Sequence, residues 1–203
     1  MIYGACIDIS GMTECQYQTL YTRTSPQRRA QADRYLRQED RRRCVVAEAL
    51  LRYALRCCGH SQSPTVSLSQ YGKPFLSDIP DFHFNLSHSG NYVAIAWGDT
   101  QVGIDVEVFR ESPTLPSIAQ KHFTPQEQDS LCVYPRDFFR IWTKKEAYVK
   151  YLGTGLRQKL SDFCVISKPP AHFESLDLPD ACLTLCSQVP PQSITQLQFA
   201  DIL

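Results

Sequence analysis

Apolar residues alternate with polar ones in three short stretches of the chain, which is the period of a strand with one buried face. Residues 2 to 9 alternate loosely and predict a first strand. Phe82, Phe84 and Leu86 alternate, Ser87-His88-Ser89-Gly90 interrupts them, and residues 92 to 97 read as the returning strand of a hairpin. Val102, Ile104, Val106 and Val108 alternate with Gly103, Asp105 and Glu107, so a half-buried strand with both acids on its polar face is expected.

Helical signals fall between and after these strands. Ser25-Pro26 combines an N-cap with a proline at the first helical position and predicts a short helix to about Leu36. Residues 40 to 58 place Val46, Leu50, Tyr53, Ala54 and Cys57 on one face and end at Gly59, which predicts a second helix. Ser112, Pro113 and Pro116 mark a loop, and residues 125 to 131 a further helical region. Residues 136 to 152 carry Phe138, Phe139, Trp142, Ala147 and Val149 and stop at Gly153 as a long helix. Residues 161 to 203 should hold short strands broken by Pro169, Pro170, Pro179, Pro190 and Pro191.

Two short likenesses recur at nearly one offset. Ile7-Asp8-Ile9 resembles Ile104-Asp105-Val106, and Glu48-Ala49-Leu50-Leu51-Arg52 resembles Glu146-Ala147-Tyr148-Val149-Lys150. The helical acid follows the strand aspartate by 40 residues in the first case and 41 in the second. This predicts an internal duplication, with an N-terminal half over residues 1–100 and a C-terminal half over 101–203, each mixing helix and strand.

Composition narrows the class. With 203 residues, 43% hydrophobic and 21% charged, the chain is of ordinary globular make-up. Lys plus Arg and Asp plus Glu each number 21, so bulk electrostatics call for no polyanionic partner. No apolar run approaches the roughly 20 residues of a membrane span. Residues 1 to 10 carry Asp8 and no basic side chain, unlike a secretion signal, so a cytoplasmic location is expected. The nine cysteines are odd in number and lack CxxC spacing, and are expected as reduced, mostly buried thiols rather than a zinc site.

Several constellations carry chemistry. Asp105 and Glu107, two apart on a strand, share a face and suit a hard cation such as Mg²⁺, or are simply two solvated acids. Trp142, Glu146 and Lys150 lie at i, i+4 and i+8 and share one helix face. They form either an ordinary ion pair or a third carboxylate beside a lysine aimed at phosphate. Tyr71-Gly72-Lys73-Pro74 puts a lysine in a tight turn, and Ser87, His88 and Gly90 end a strand with groups that can meet phosphate oxygens or merely turn a hairpin. No GxSxG elbow accompanies them, which argues against a Ser/His hydrolase. Seven arginines (28, 29, 34, 37, 41, 42 and 43) stand against Asp33, Glu39 and Asp40. They read as a solvated helix face, a nucleic-acid surface, or a clamp for a small phosphorylated ligand, and the neutral net charge favours the ligand.

In this order the stretches resemble the Sfp-type 4'-phosphopantetheinyl transferases. The family pattern Gly-Ile/Val-Asp-x-Glu is matched by Gly103-Ile104-Asp105-Val106-Glu107. The pattern Trp-Ser/Thr/Cys-x-Lys-Glu-Ala/Ser-x-x-Lys is matched by Trp142 to Lys150, and the Tyr71–Pro74, Phe84–Gly90, Ser25-Pro26 and Glu39-Asp40 to Arg43 stretches also agree. The resemblance implies an α+β fold of two pseudo-symmetric halves, each a small three-stranded antiparallel sheet on a long helix, with the ligand between them. It implies binding of coenzyme A and Mg²⁺, transfer of the phosphopantetheinyl arm to a serine of a carrier protein, and release of adenosine 3',5'-bisphosphate.

By the same resemblance, Asp105, Glu107 and Glu146 hold Mg²⁺, Glu146 is the base toward the carrier serine, and Lys150 stabilises charge on the diphosphate. Lys73, Ser87 and His88 bind coenzyme A, with His88, Arg28 and Arg43 at its 3'-phosphate. Gln31 stands where some members carry a second lysine. Carrier docking is expected in the C-terminal half, with Phe109, Phe123 and residues 115 to 118 as candidates, and a monomer is expected. A Mg²⁺-dependent hydrolase of nucleotide diphosphates using the same acids, and a nucleic-acid module using the arginines, are the competing readings.

Overall fold

A computed structural model describes residues 1–61, 64–167 and 169–203. Strand β1 (Ile2–Asp8) leads into α1 (Glu14–Arg23), α2 (Pro26–Ala32) and the long α3 (Gln38–Cys57). A small hairpin, β2 (Val66–Leu68) and β3 (Pro74–Leu76), precedes the major hairpin β4 (His83–Ser89) and β5 (Tyr92–Gly98). Then come β6 (Val102–Val108), α4 (Leu115–His122), α5 (Pro125–Asp129) and the long α6 (Arg136–Leu152). The chain ends with β7 (His172–Asp177), β8 (Ala181–Ser187), β9 (Ser193–Leu197) and α7 (Phe199–Ile202).

The strands form a sheet in the order β4-β5-β1-β9, a second in the order β6-β8-β7, and the separate β2-β3 ribbon. This is an α+β fold in which each half is a helix laid on a sheet. Val46, Leu50 and Ala54 of α3 bury against Ile7, Val93 and Ile95 on one face of the first sheet. Its other face presents Cys6, Ala94 and Ala96 to Val102, Ile104, Val106, Leu183 and Leu185, so the two sheets meet back to back. The remaining face of the second sheet receives α6, where Thr143 Oγ1 lies 3.0 Å from Thr184 Oγ1.

Gly103 sets how closely α6 can lie. A Cβ there would stand 2.0 Å from the Ala147 carbonyl oxygen and 2.4 Å from the Tyr151 nitrogen, so helix backbone rests directly on strand backbone. The approach seats Glu146 and Lys150 over the acid-bearing face of β6. Gly153, at φ 67°, ends α6 in the left-handed conformation.

Several expectations are corrected. The helix begun at Ser25-Pro26 stops at Ala32, four residues early, because Asp33 caps it and takes the Tyr21 hydroxyl at 2.9 Å. Leu36 beyond it is exposed. The segment expected as a loop around Pro116 is the start of α4. The helix over 125 to 131 is one turn at Pro125–Asp129. The first sheet has a fourth strand, because β9 returns to pair parallel with β1 and α7 then packs beneath α3 through Ile202. Only Cys6, Cys44, Cys182 and Cys186 are buried, and Cys15, Cys57, Cys58 and Cys132 are exposed, against the expectation of mostly buried thiols. Among the described residues, no helix is long and apolar enough to cross a membrane.

Candidate active site

The period of β6 points Asp105 and Glu107 toward α6, and both acids are tied down from β4. Asp105 Oδ1 accepts hydrogen bonds from the Ser87 hydroxyl at 2.9 Å and from Lys150 Nζ at 2.6 Å. Glu107 Oε2 accepts from the Ser89 hydroxyl at 2.8 Å and from Arg110 at 3.0 Å. The polar face expected to meet solvent is therefore interior, with Asp105 only 5% exposed. Burial pushes the Asp105 carboxyl above the usual range against the pull of Lys150. Burial also raises Glu146, and the nearby Asp105 adds to it. Asp105 Oδ2 is buried and has no hydrogen-bond partner.

β4 and β6 belong to different sheets, yet side chains join them. Ile104 N–H donates to Asn85 Oδ1 at 2.9 Å, Val106 N–H to Ser87 Oγ at 3.3 Å, and Val108 N–H to Ser89 Oγ at 3.2 Å. Alternate residues of β4 thus supply the acceptors that a neighbouring strand would have given, and the edge of β6 is not left bare. The Ser87–Ser89 stretch, read from sequence as a turn, is still strand.

The predicted cations divide into two groups. His88 is exposed, and partial desolvation together with the Arg43 and Lys150 charges holds its imidazole below the usual value. Arg43 donates to the Gly90 carbonyl at 2.6 Å and pairs with Asp40, while its buried Nε has no partner. His88 sits between Ser87 and Ser89, the residues that bond the acids, and Arg43 reaches the end of the same strand at Gly90. Lys73 is elsewhere: its Nζ donates to Gln101 Oε1 at 3.0 Å and to the carbonyls of Val102 at 2.9 Å and Tyr151 at 3.2 Å. It lines a cavity of about 480 Å³ with Tyr71 and Phe84. Arg28 bonds Gln31 at 3.0 Å and faces Glu48 at 3.7 Å, in a separate cavity of about 590 Å³. A further cavity of about 720 Å³, walled by Tyr3, Tyr53, Phe82 and Trp97, contains none of the predicted site residues.

Much of the arginine cluster is occupied within the protein. Arg29 donates to the Thr22 and Thr24 carbonyls, Arg41 to the Tyr35 carbonyl, and Arg42 faces Glu14. Of the docking candidates, Phe123 and Leu115 are core residues, 2% and 4% exposed. Phe109 lies under the Arg136 guanidinium, 5.0 Å from its ring centre.

Sequence reasoning missed Lys145 and Glu127. Both side chains are fully buried, with Nζ 2.7 Å from Oε2. The signal was available: Lys145 lies one turn from Ile141 and one from Val149, both buried, on an apolar face of α6 where a lysine requires a partner.

Comparison with known proteins finds two family models and several relatives. A family model described as the 4'-phosphopantetheinyl transferase superfamily matches residues 101–192. One described as 4'-phosphopantetheinyl transferase, N-terminal, matches residues 12–100. The chain is 28% identical to the 4'-phosphopantetheinyl transferase Sfp of Bacillus subtilis (strain 168), covering 100% of this chain and 99% of that protein. It is 31% identical to another Bacillus subtilis 4'-phosphopantetheinyl transferase, over 88% of this chain and 81% of the relative. The 4'-phosphopantetheinyl transferase HetI of Nostoc is 36% identical over 80% of this chain and 73% of its own length.

Proposed function

The chain belongs to the 4'-phosphopantetheinyl transferases, and from that premise we propose that the acids and lysine held between β4, β6 and α6 are its reaction centre. The enzyme transfers the phosphopantetheinyl group of coenzyme A to a carrier protein. The observation that carries the site assignment is the bare, buried Oδ2 of Asp105 beside two further acids.

A divalent cation fits that donor set. An unpartnered buried carboxylate oxygen is costly unless something positive meets it, and a small hard cation needs few protein carboxylates when phosphate oxygens complete its shell. Among the described residues, no group of three or more His, Cys, Asp or Glu is arranged to hold a metal ion by itself. Asp105, Glu107 and Glu146 would hold Mg²⁺. When bound, the ion neutralises charge on the diphosphate and its leaving group.

The chain's own groups supply the rest. The carrier serine oxygen attacks the phosphorus bearing the pantetheine arm, the bond from that phosphorus to the bridging oxygen breaks, and adenosine 3',5'-bisphosphate leaves. Glu146 takes the serine proton, and its raised carboxyl is tuned in the direction a base working near neutral pH requires. Lys150 Nζ, 2.6 Å from Asp105, is placed to share its charge with the diphosphate. We assign the 3'-phosphate to His88 and Arg43, and Arg43 would meet it by exchanging its bonds to the Gly90 carbonyl and Asp40. Lys73 and Arg28 reach coenzyme A only by giving up protein partners, so their part in binding is conditional on that exchange. We read the enzyme as a cytoplasmic monomer acting on carrier proteins rather than nucleic acid.

The test is the intact mass of an apo carrier protein incubated with the enzyme, coenzyme A and Mg²⁺. A gain of one phosphopantetheinyl group, stopped by EDTA and by Asp105→Ala or Glu146→Ala in folded protein, is expected. Full transfer by either variant would sink the site assignment. Free phosphopantetheine without carrier modification would make the enzyme a hydrolase.

A further inference from the structure

We infer that Ser87 and Ser89 are positioning residues that set the carboxylates of Asp105 and Glu107 for a divalent cation, each through the same two-bond clamp. The inference rests on the proposal that these acids hold the ion, and goes beyond it by assigning the serines to the acids rather than to coenzyme A.

The clamp repeats with a period of two. Ser87 donates to Asp105 Oδ1 at 2.9 Å and accepts from the N–H of the next residue, Val106, at 3.3 Å. Ser89 donates to Glu107 Oε2 at 2.8 Å and accepts from the N–H of the next residue, Val108, at 3.2 Å. In both cases one hydroxyl bridges an acid's side chain and the amide that follows it. A strand alternates its faces every residue, so Ser-x-Ser on β4 can serve Asp-x-Glu on β6 only with both strands in one register.

Counting donors and acceptors fixes the direction of the Ser87 bond. A hydroxyl has one proton and two lone pairs. Ser87 Oγ receives Val106 N–H at 3.3 Å and Lys150 Nζ at 3.0 Å, so both lone pairs are taken. Its proton is left for Asp105 Oδ1. With Oδ1 held by Ser87 and Lys150, the carboxylate cannot turn freely, and Oδ2 is the oxygen left for a cation. The hydroxyl is also saturated, with no bond to spare for a phosphate. Because β4 lies in the first sheet and β6 in the second, the clamp makes the acids' geometry depend on how the two halves sit.

The experiment is Mn²⁺ titration of the full chain without coenzyme A, read from the electron paramagnetic resonance of free Mn²⁺, beside calorimetry of coenzyme A binding in EDTA. Groups that orient metal ligands typically change affinity about 10–100-fold when removed, so Ser87→Ala and Ser89→Ala should each weaken Mn²⁺ binding at least about 10-fold. Metal-free coenzyme A affinity should stay within about two-fold, a margin set far below that effect. Ser89 is only half-buried, so its variant remains informative if Ser87→Ala fails to fold, and Ser89→Thr, which keeps the hydroxyl, should restore binding. Unchanged Mn²⁺ affinity in the alanine variants would overturn the clamp while leaving the metal reading intact. Loss of metal-free coenzyme A binding with Mn²⁺ affinity preserved would make the serines substrate ligands and overturn it too. A wild-type chain that binds no Mn²⁺ would remove the metal reading and the clamp with it.

Discussion

Lys145 and Glu127 meet as an ion pair from which water is wholly excluded, Nζ to Oε2 at 2.7 Å. The lysine's other bonds go to the carbonyls of Leu160 and Phe163, both at 2.7 Å. The glutamate accepts from Thr124 N–H and from Val165 N–H, each at 2.8 Å. The pair therefore pins α5 and residues 160 to 165 to the helix residue preceding Glu146. Lys145→Met leaves a buried carboxylate without its cation and should cost about 3–5 kcal/mol. Adding Glu127→Leu should recover more than half of that. Urea unfolding reads both, and a loss under about 1 kcal/mol in the single variant would contradict a buried charged pair.

Gly103→Ala is expected to separate β6 from α6. The new Cβ would meet backbone atoms at 2.0 and 2.4 Å, and backbone cannot swing aside as a side chain can. Overpacking of this kind costs about 1–3 kcal/mol or more. The displaced helix also carries Glu146 and Lys150 away from Asp105. A lowered melting temperature with transfer reduced far more than folded fraction should result, and normal turnover in the folded protein would rule out the tight contact as the helix's locator.

The parts of this arrangement that the sequence made readable are those whose geometry is local. Asp105 and Glu107 share a face because of strand period, and Glu146 and Lys150 because of helix period, so neither pair needed a structure to be found. Gly153 stopped α6 where its backbone freedom said it would. Helix α1 was missed although Thr13 and Gln16 form a capping box, since only Tyr17 and Leu20 of it are buried and its apolar pattern is weak. Helix α4 was missed because Pro113 and Pro116 read as loop, whereas a proline in the first turn needs no N–H partner. The return of β9 to β1, and the choice of Asp105 by Ser87, depend on segments far apart in the chain. No local period encodes such a pairing.

Lys150→Met should split metal binding from chemistry. The variant removes a cation 2.6 Å from Asp105 Oδ1 and so removes a competitor for that carboxylate. Mn²⁺ affinity is then retained or increased, while kcat falls about 10²–10³-fold, as when one preorganised charge donor is lost from a transition state. A parallel fall in Mn²⁺ affinity would mean that the lysine organises the acids and has no part in charge stabilisation.

Coenzyme A binding should take up a proton at His88. In the free chain, desolvation and then the Arg43 and Lys150 charges hold this imidazole below its ordinary 6.5. An unfolded chain protonates first as the pH falls through 6.5, so this group's contribution to stability is complete above that value and declines below it. A phosphate beside the ring reverses the shift, because it favours the imidazolium. Affinity should therefore tighten between pH 7.5 and 6, values spanning the ordinary histidine range of about 6.5. Calorimetry in buffers of different ionisation heat measures the uptake, and His88→Gln should abolish the share due to this ring. Equal proton uptake in both proteins would place His88 away from the phosphate.

Glu48 occupies on α3 the place that Glu146 holds on α6, but its oxygens serve the fold. Oε1 accepts from Ser25 N–H at 2.7 Å and from Arg52 at 2.8 Å, while Oε2 accepts the Ser25 hydroxyl at 2.7 Å. The aspartate corresponding to Asp105, Asp8, is likewise occupied by Ser10 N–H at 2.8 Å. The first half thus uses its acid–base helix pair to start α2, whereas the proposed site leaves the second half's pair for a cation. Glu48→Gln should lower stability by about 1–3 kcal/mol through the weakened charged bonds and leave Mn²⁺ affinity unchanged. Glu146→Gln should do the reverse, relieving a crowded acid while weakening Mn²⁺ binding. Equal loss of Mn²⁺ binding in the two variants would mean that both halves still contribute to one metal site, and the divergence drawn from these bonds would be wrong.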